Sequence, residues 1–158
     1  MPTIQTCLWF DSEGLEAAEF YVSVFPRSEI VEVSRWSGAA PELEGTPLTV
    51  SFRLDGREFV ALNGGPGRPF TEAVSLLVDC ADQAEVDHYR ERLLEGGGRE
   101  SRCGWLTDRY GLSWQVVPTR LQELLSDPDP GRAKRAMEAM LTMVKIDIAG
   151  VERAADGA

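Results

Sequence analysis

Two stretches of this chain repeat one pattern at a fixed offset. Asp79 lies 68 residues after Asp11, and the same shift carries Leu8 onto Leu76, Glu16 onto Ala84, Tyr21 onto Tyr89 and Cys7 onto Ser75. In each place an alternating run enters an aspartate. A helical pattern follows, with a tyrosine as the tenth residue after that aspartate. Self-similarity at a fixed offset limits the fold more than any single motif, because each copy must build the same supersecondary unit. The identities are few, so the periodic pattern carries the argument.

The first copy begins with "IQTCLWF", whose alternation and strand-forming residues predict a strand. "DSEGLEAAEFYVSVF" predicts a helix that Asp11 or Ser12 can cap and Pro26 ends. "EIVEVSRW" reads as a strand and "SGAAPELEGTP" as a loop. "LTVSFRLDGREFVALNG" predicts a hairpin turning at Asp55-Gly56. "GGPGRPF" is a glycine-rich link. The second copy runs through the strand "EAVSLLVDC" and the helix "ADQAEVDHYRERLLEGGG", capped near Asp82 and stopped by glycines. The strands "RESRCGWLTD" and "YGLSWQVVP" complete it. "RLQELLSDPDPGRAKRAMEAMLTM" then predicts two helices around a Pro-rich turn, the second capped by Asp129. Its stripe of Ala133, Met137, Met140 and Leu141 is expected to pack in the core.

The expected class is α+β. A first βαβββ unit spans residues 1–66, a second spans 67–118, and a helical extension spans 119–158 of a single domain. Length permits one domain with a real core. Twenty-six acidic against 16 basic residues give a net charge of -10. That disfavours nucleic acid, which needs a basic face. It also weakens the case for an anionic membrane surface, and no apolar run reaches the roughly 18 residues of a membrane span. Acidity reads as solubility, and it is compatible with a cationic ligand. Cys7, Cys80 and Cys103 are odd in number and widely spaced, so free thiols and a cytoplasmic location are expected. No basic segment precedes the first apolar run, and no signal peptide is expected.

Paired βαβββ units resemble the vicinal oxygen chelate superfamily, the glyoxalase and bleomycin-resistance fold. The closer resemblance is to its PhnB-like branch, labelled 3-demethylubiquinone-9 3-methyltransferase domain proteins. The matching stretches are "CLWFDSEGLEAAEFYVSVFP", "ALNGGP", "CGWLTDRYGLSWQVVP", "LLSDPDP" and "AMEAMLTMVKIDIAG", which cover most of the chain. The resemblance implies a curved mixed sheet around a cavity between the units, and a homodimer. It also implies four inward strand positions where metal-using members carry His, Gln and Glu. Carried over, these fall at Cys7 or Gln5, at Ala61 or Asn63, at Ser75 and at Gln115. The metalloenzymes have Glu where Gln115 stands.

That set holds no carboxylate and no imidazole. A divalent ion needs several nitrogen or oxygen donors at about 2.0–2.2 Å, and neutral amides are weak donors without anionic help. No catalytic metal and no cofactor are therefore expected. The single histidine, His88, lies in the second helical pattern beside Tyr89 and reads as a surface or packing residue. The methyltransferase label implies S-adenosylmethionine, which uses a glycine-rich turn between a strand and a helix. "GGPGRP" leaves a hairpin strand and "EGGGRE" follows a helix, so both read as structural turns.

The expected ligand-binding set is Gln5, Cys7, Trp9, Asn63, Ser75, Cys103 and Gln115. Trp9 shares the face of Gln5 and Cys7 and can wall a flat ligand. Trp114 alternates with Gln115 and is expected under the helices. Cys7 is a candidate nucleophile, with a buried structural thiol as the plainer reading. Asp127 and Asp129 lie in a turn and read as caps. Two functions follow. One is a metal-free protein that binds a small molecule in the cavity. The other is an enzyme of lyase, isomerase or transferase type.

Overall fold

A computed structural model describes residues 1–158, which divide into two compact units, Met1–Phe70 and Thr71–Ala158. In the first unit, β1 (Thr6–Phe10) leads to α1 (Gly14–Val24). β2 (Glu29–Arg35), β3 (Pro47–Leu54) and β4 (Arg57–Asn63) follow, and the four strands form a mixed sheet in the order β1-β4-β3-β2. Only β1 and β4 pair in parallel. The hairpin turns at Asp55 and Gly56, both with positive φ (+48° and +78°). Such pairs match the twist of the flanking strands, as the Asp-Gly signal predicts.

The second unit repeats this design. β5 (Ser75–Cys80) leads to α2 (Gln83–Leu94), then β6 (Arg99–Glu100), β7 (Trp105–Thr107) and β8 (Ser113–Pro118). The sheet order is β5-β8-β7-β6, with β5 and β8 parallel. The tandem βαβββ expectation is met. Asp82 caps α2 by accepting the Glu85 N–H at 2.9 Å, and Gly96 with φ +78° follows its end.

The start of α1 differs from expectation. Neither Asp11 nor Ser12 caps it, and Glu13 at the cap position makes no side-chain cap. The Gly14 N–H instead donates to Asn63 Oδ1 at 2.8 Å, from the far strand of the sheet. A Cβ at Gly14 would stand 2.7 Å from that oxygen, so glycine permits the approach. Ala17, Ala18, Tyr21 and Val24 bury their side of α1, and Tyr21 stacks with Phe52.

Three helices close the second unit, where the sequence pattern predicts two. They are α3 (Thr119–Leu125), α4 (Pro130–Met140) and α5 (Ile148–Asp156). Asp129 caps α4 as expected, through the Gly131 N–H at 2.9 Å. The core joins Val117, Leu121 and Leu124 to Ala136, Ile146, Val151 and Ala155. The predicted α4 stripe is met in part: Met140 packs against this core and Ala133 is half-buried, whereas Met137 and Leu141 are 41% and 55% exposed and Ala136 is buried. Arginines join α4 to its neighbours. Arg135 donates to the Ala155 carbonyl at the end of α5, and Arg132 pairs with Asp127 and Asp156. No helix is long and apolar enough to cross a membrane.

The polar turn before β8 is built around one buried carboxylate. Asp108 Oδ1 accepts the N–H groups of Tyr110 (2.9 Å) and Leu112 (3.1 Å), and Oδ2 accepts the Trp114 indole N–H (2.9 Å). Removing it strands buried donors. Asp108→Ala is expected to cost about 2–4 kcal/mol in urea denaturation followed by tryptophan fluorescence. A loss under about 0.5 kcal/mol, the scale of a neutral surface change, would contradict the assignment.

Candidate functional site

Strand alternation gives each sheet a helix-packed face and an open face. In the first unit the pairings Leu8–Ala61 and Phe10–Asn63 lie with the core, and all four residues are buried. The intervening pairs, Cys7–Val60 and Trp9–Leu62, point the other way. Asn63 therefore does not join Cys7 and Trp9. Its amide oxygen holds the start of α1, and its Nδ2 donates to the Pro47 carbonyl at 3.1 Å. Ala61 is on the same core face. The β4 residues on the open face are Glu58, Val60 and Leu62, and Glu58 is paired with Arg53 of β3.

Gln5 precedes β1 and is exposed. Cys7 is exposed rather than a buried structural thiol. Trp9 is half-buried under the glycine-rich link. Its indole N–H donates to the Gly65 carbonyl at 2.9 Å, and the Arg68 guanidinium lies 5.0 Å from the ring centre. A Cβ at Gly64 would come within 2.2 Å of the indole. The link is thus a strap on Trp9, in keeping with its reading as a structural turn.

In the second unit the open face carries two cross-strand rows. One is Ser75–Ser113–Thr107, and the other is Leu77–Gln115–Trp105. Gln115 Nε2 donates to Ser75 Oγ at 2.9 Å. The Ser113 hydroxyl is 1% exposed and has no hydrogen-bond partner. Trp114 lies on the opposite face, 2% exposed, as its alternation with Gln115 predicts. Cys103 does not join Gln115. It occupies a turn with φ +57°, where its N–H donates to the Met143 carbonyl (2.9 Å) and its Sγ contacts the Met140 carbonyl (3.6 Å). That turn ties the sheet to the C-terminal helices.

Residues 2–117 match the sequence family described as 3-demethylubiquinone-9 3-methyltransferase. A PhnB protein of Bacillus cereus is 35% identical, with a TM-score of 0.67 over 75% of this chain and 100% of its own. A Pseudomonas aeruginosa protein is 17% identical, with a TM-score of 0.62 over 75% of this chain and 98% of that one. A fosfomycin resistance protein from Listeria monocytogenes is 14% identical, with a TM-score of 0.53 over 78% and 97%. A variant of the Listeria protein is complexed with Mn(II). No curated protein matches the chain.

Neither a metal nor a methyl donor fits the residues present. No three His, Cys, Asp or Glu side chains gather into a donor set. On the open faces, the carried-over positions offer a thiol, a hydroxyl and a carboxamide that is already bonded to the hydroxyl. His88 stays on α2, edge-on to Tyr89 at 5.0 Å. At the start of α1 the Gly14 N–H is met by Asn63, and at the start of α2 the Glu85 N–H is met by Asp82.

Three residues escaped the sequence reading. Val60 and Leu62 needed the β1–β4 register, which alternation within one strand does not supply. Alternation along β8 puts Ser113 on the Gln115 face, but only packing shows its hydroxyl to be buried and unmatched.

The thiols separate sharply. Burial, with nearby Glu85, Asp79 and Asp82, pushes Cys80 from 9.0 up to about 12. Its thiol is protonated in the fold and ionises when unfolded, so this contribution is present below pH 9 and lost as pH rises toward 12. In stability measured against pH, Cys80→Ala is expected to decline less steeply than the parent across that window. In native thiol titration with an aromatic disulfide, Cys7 is expected to react and Cys80 to react only after denaturation. Fast native labelling of Cys80 would contradict this placement.

Proposed function

The chain belongs to the 3-demethylubiquinone-9 3-methyltransferase family of PhnB-like, glyoxalase-fold proteins, and from that premise we propose that it binds a small molecule without a metal. The observation that supports this most is the polar cluster on the open face of the second unit. Gln115 keeps an uncommitted carboxamide oxygen after bonding Ser75, and the buried Ser113 hydroxyl lacks a partner. A half-buried carboxamide oxygen that accepts no hydrogen bond suits a ligand that donates to it. Trp105, the cross-strand neighbour of Gln115, supplies an aromatic wall. In the first unit, Cys7, Trp9 and the exposed Gln5 are additional candidate contacts.

A cytoplasmic homodimer is part of this reading. The exposed apolar side chains of Met137, Leu141 and Val144 are consistent with a covered surface. An enzyme of lyase, isomerase or transferase type is the alternative. It draws on the exposed Cys7, but no basic side chain is hydrogen-bonded to that thiol.

Thermal-shift screening of the parent against a small-molecule library, repeated with Gln115→Ala, tests the reading. Ligands that stabilise the parent are expected to bind the variant about tenfold more weakly, the scale of one or two lost hydrogen bonds. Ligands that stabilise both equally would place binding elsewhere.

A further inference from the structure

We propose that the open face of the second unit selects an uncharged planar ring with an adjoining hydrogen-bond donor and acceptor, as in a lactam or cyclic imide. This rests on the small-molecule reading above and names its chemical class. A carboxamide offers two N–H donors and one acceptor oxygen. In Gln115 one N–H is committed to Ser75 at 2.9 Å, and Oε1 accepts nothing. The remaining N–H and Oε1 form a donor–acceptor pair. A ring lactam is its complement: the lactam C=O accepts the Gln115 N–H, and the lactam N–H donates to Oε1.

The neighbours favour the same class. Trp105 pairs directly with Gln115 across β7 and β8. Side chains at such positions stand about 5 Å apart, so a ring hydrogen-bonded to Gln115 lies against the indole. Ser113, in the adjacent row, is 1% exposed, so its hydroxyl lies behind this contact and not in it. No ionisable side chain belongs to the Leu77–Gln115–Trp105 row. Asp79 lies one row beyond, opposite Val117, and Arg99 lies at the sheet edge, opposite Thr107. A charged ligand would give up hydration here, and the row itself supplies no counter-ion. The net charge of -10 is a property of the whole surface and does not supply one.

The test uses the intact protein and four probes of similar size: 2-quinolone, N-methyl-2-quinolone, N-methylquinolinium and quinoline-2-carboxylate. Affinity is read by isothermal titration calorimetry. Location is read from the Gln115 side-chain amide signals in NMR, assigned by their loss in Gln115→Leu. The expected result is that 2-quinolone shifts those signals and binds at least about tenfold more tightly than its N-methyl analogue, which lacks the donor. Gln115→Leu is expected to level the two. The ligand comparison needs no altered protein, so a poorly folded variant does not undermine it. If the cation or the anion binds as tightly as 2-quinolone and still moves the Gln115 signals, the chemical class is wrong and the small-molecule reading stands. Equal affinity for 2-quinolone and its N-methyl analogue also refutes the class. If none of the four moves the Gln115 signals, both the class and the binding face are refuted.

Discussion

The parallel pairing of β1 with β4, and of β5 with β8, decides which face each side chain of these four strands takes. Because side chains alternate along a strand, a pairing shifted by one residue would exchange the open and buried faces of β4 or β8. The observed register sends Leu8, Phe10, Ala61 and Asn63 to the core of the first unit and Leu76, Trp114 and Val116 to the helix-packed face of the second. Two polar residues hold that arrangement. Asn63 ties the start of α1 to β4, and Asp108 gathers the turn that delivers β8. Both are buried and hydrogen-bonded, the condition under which polar groups are tolerated in a core.

With the register fixed, the two units can be compared position by position. Cys7 corresponds to Ser75, Trp9 to Leu77, Val60 to Ser113 and Leu62 to Gln115. One topology thus presents two different chemistries. On the open face of the first unit, Cys7, Trp9, Val60 and Leu62 adjoin Thr49, Ser51 and the Arg53–Glu58 ion pair. On that of the second, the central row is uncharged, and Gln115 is bonded to Ser75. The Gln115 carboxamide spends one N–H on Ser75 and keeps its oxygen for a hydrogen-bond donor, while a lone neutral carbonyl oxygen without anionic partners is a weak ligand for a divalent cation. The fold is shared with a protein complexed with Mn(II), and the proposed reading is that the residues here serve neutral recognition.

Much of this was legible in the sequence, for physical reasons that can be named. The 68-residue offset located Ser75 from Cys7, and alternation placed Gln115 opposite Trp114. Asp55-Gly56, Asp82 and Asp129 each carried turn or cap chemistry that depends only on local backbone. Asn63 was different. Alternation told that it shares a face with Ala61, but not which face, since that depends on the partner strand. Cys103 looked like a strand residue, yet the chain turns there and bonds to the C-terminal segment. α5 is short, and Gly150 interrupts it, although Val151 and Ala155 on one side are buried. The α4 stripe held at Met140 but not at Met137 and Leu141, whose side of the helix is exposed.

The central claim is that the uncharged side chains on these open faces do not form a divalent-cation site. Calorimetric titration of the metal-stripped parent with Zn(II), Ni(II) and Mn(II), paired with Gln115→Ala, tests it most directly. The account predicts no stoichiometric uptake and the same traces for parent and variant. One ion held tightly per chain by the parent, and lost in Gln115→Ala, would contradict it.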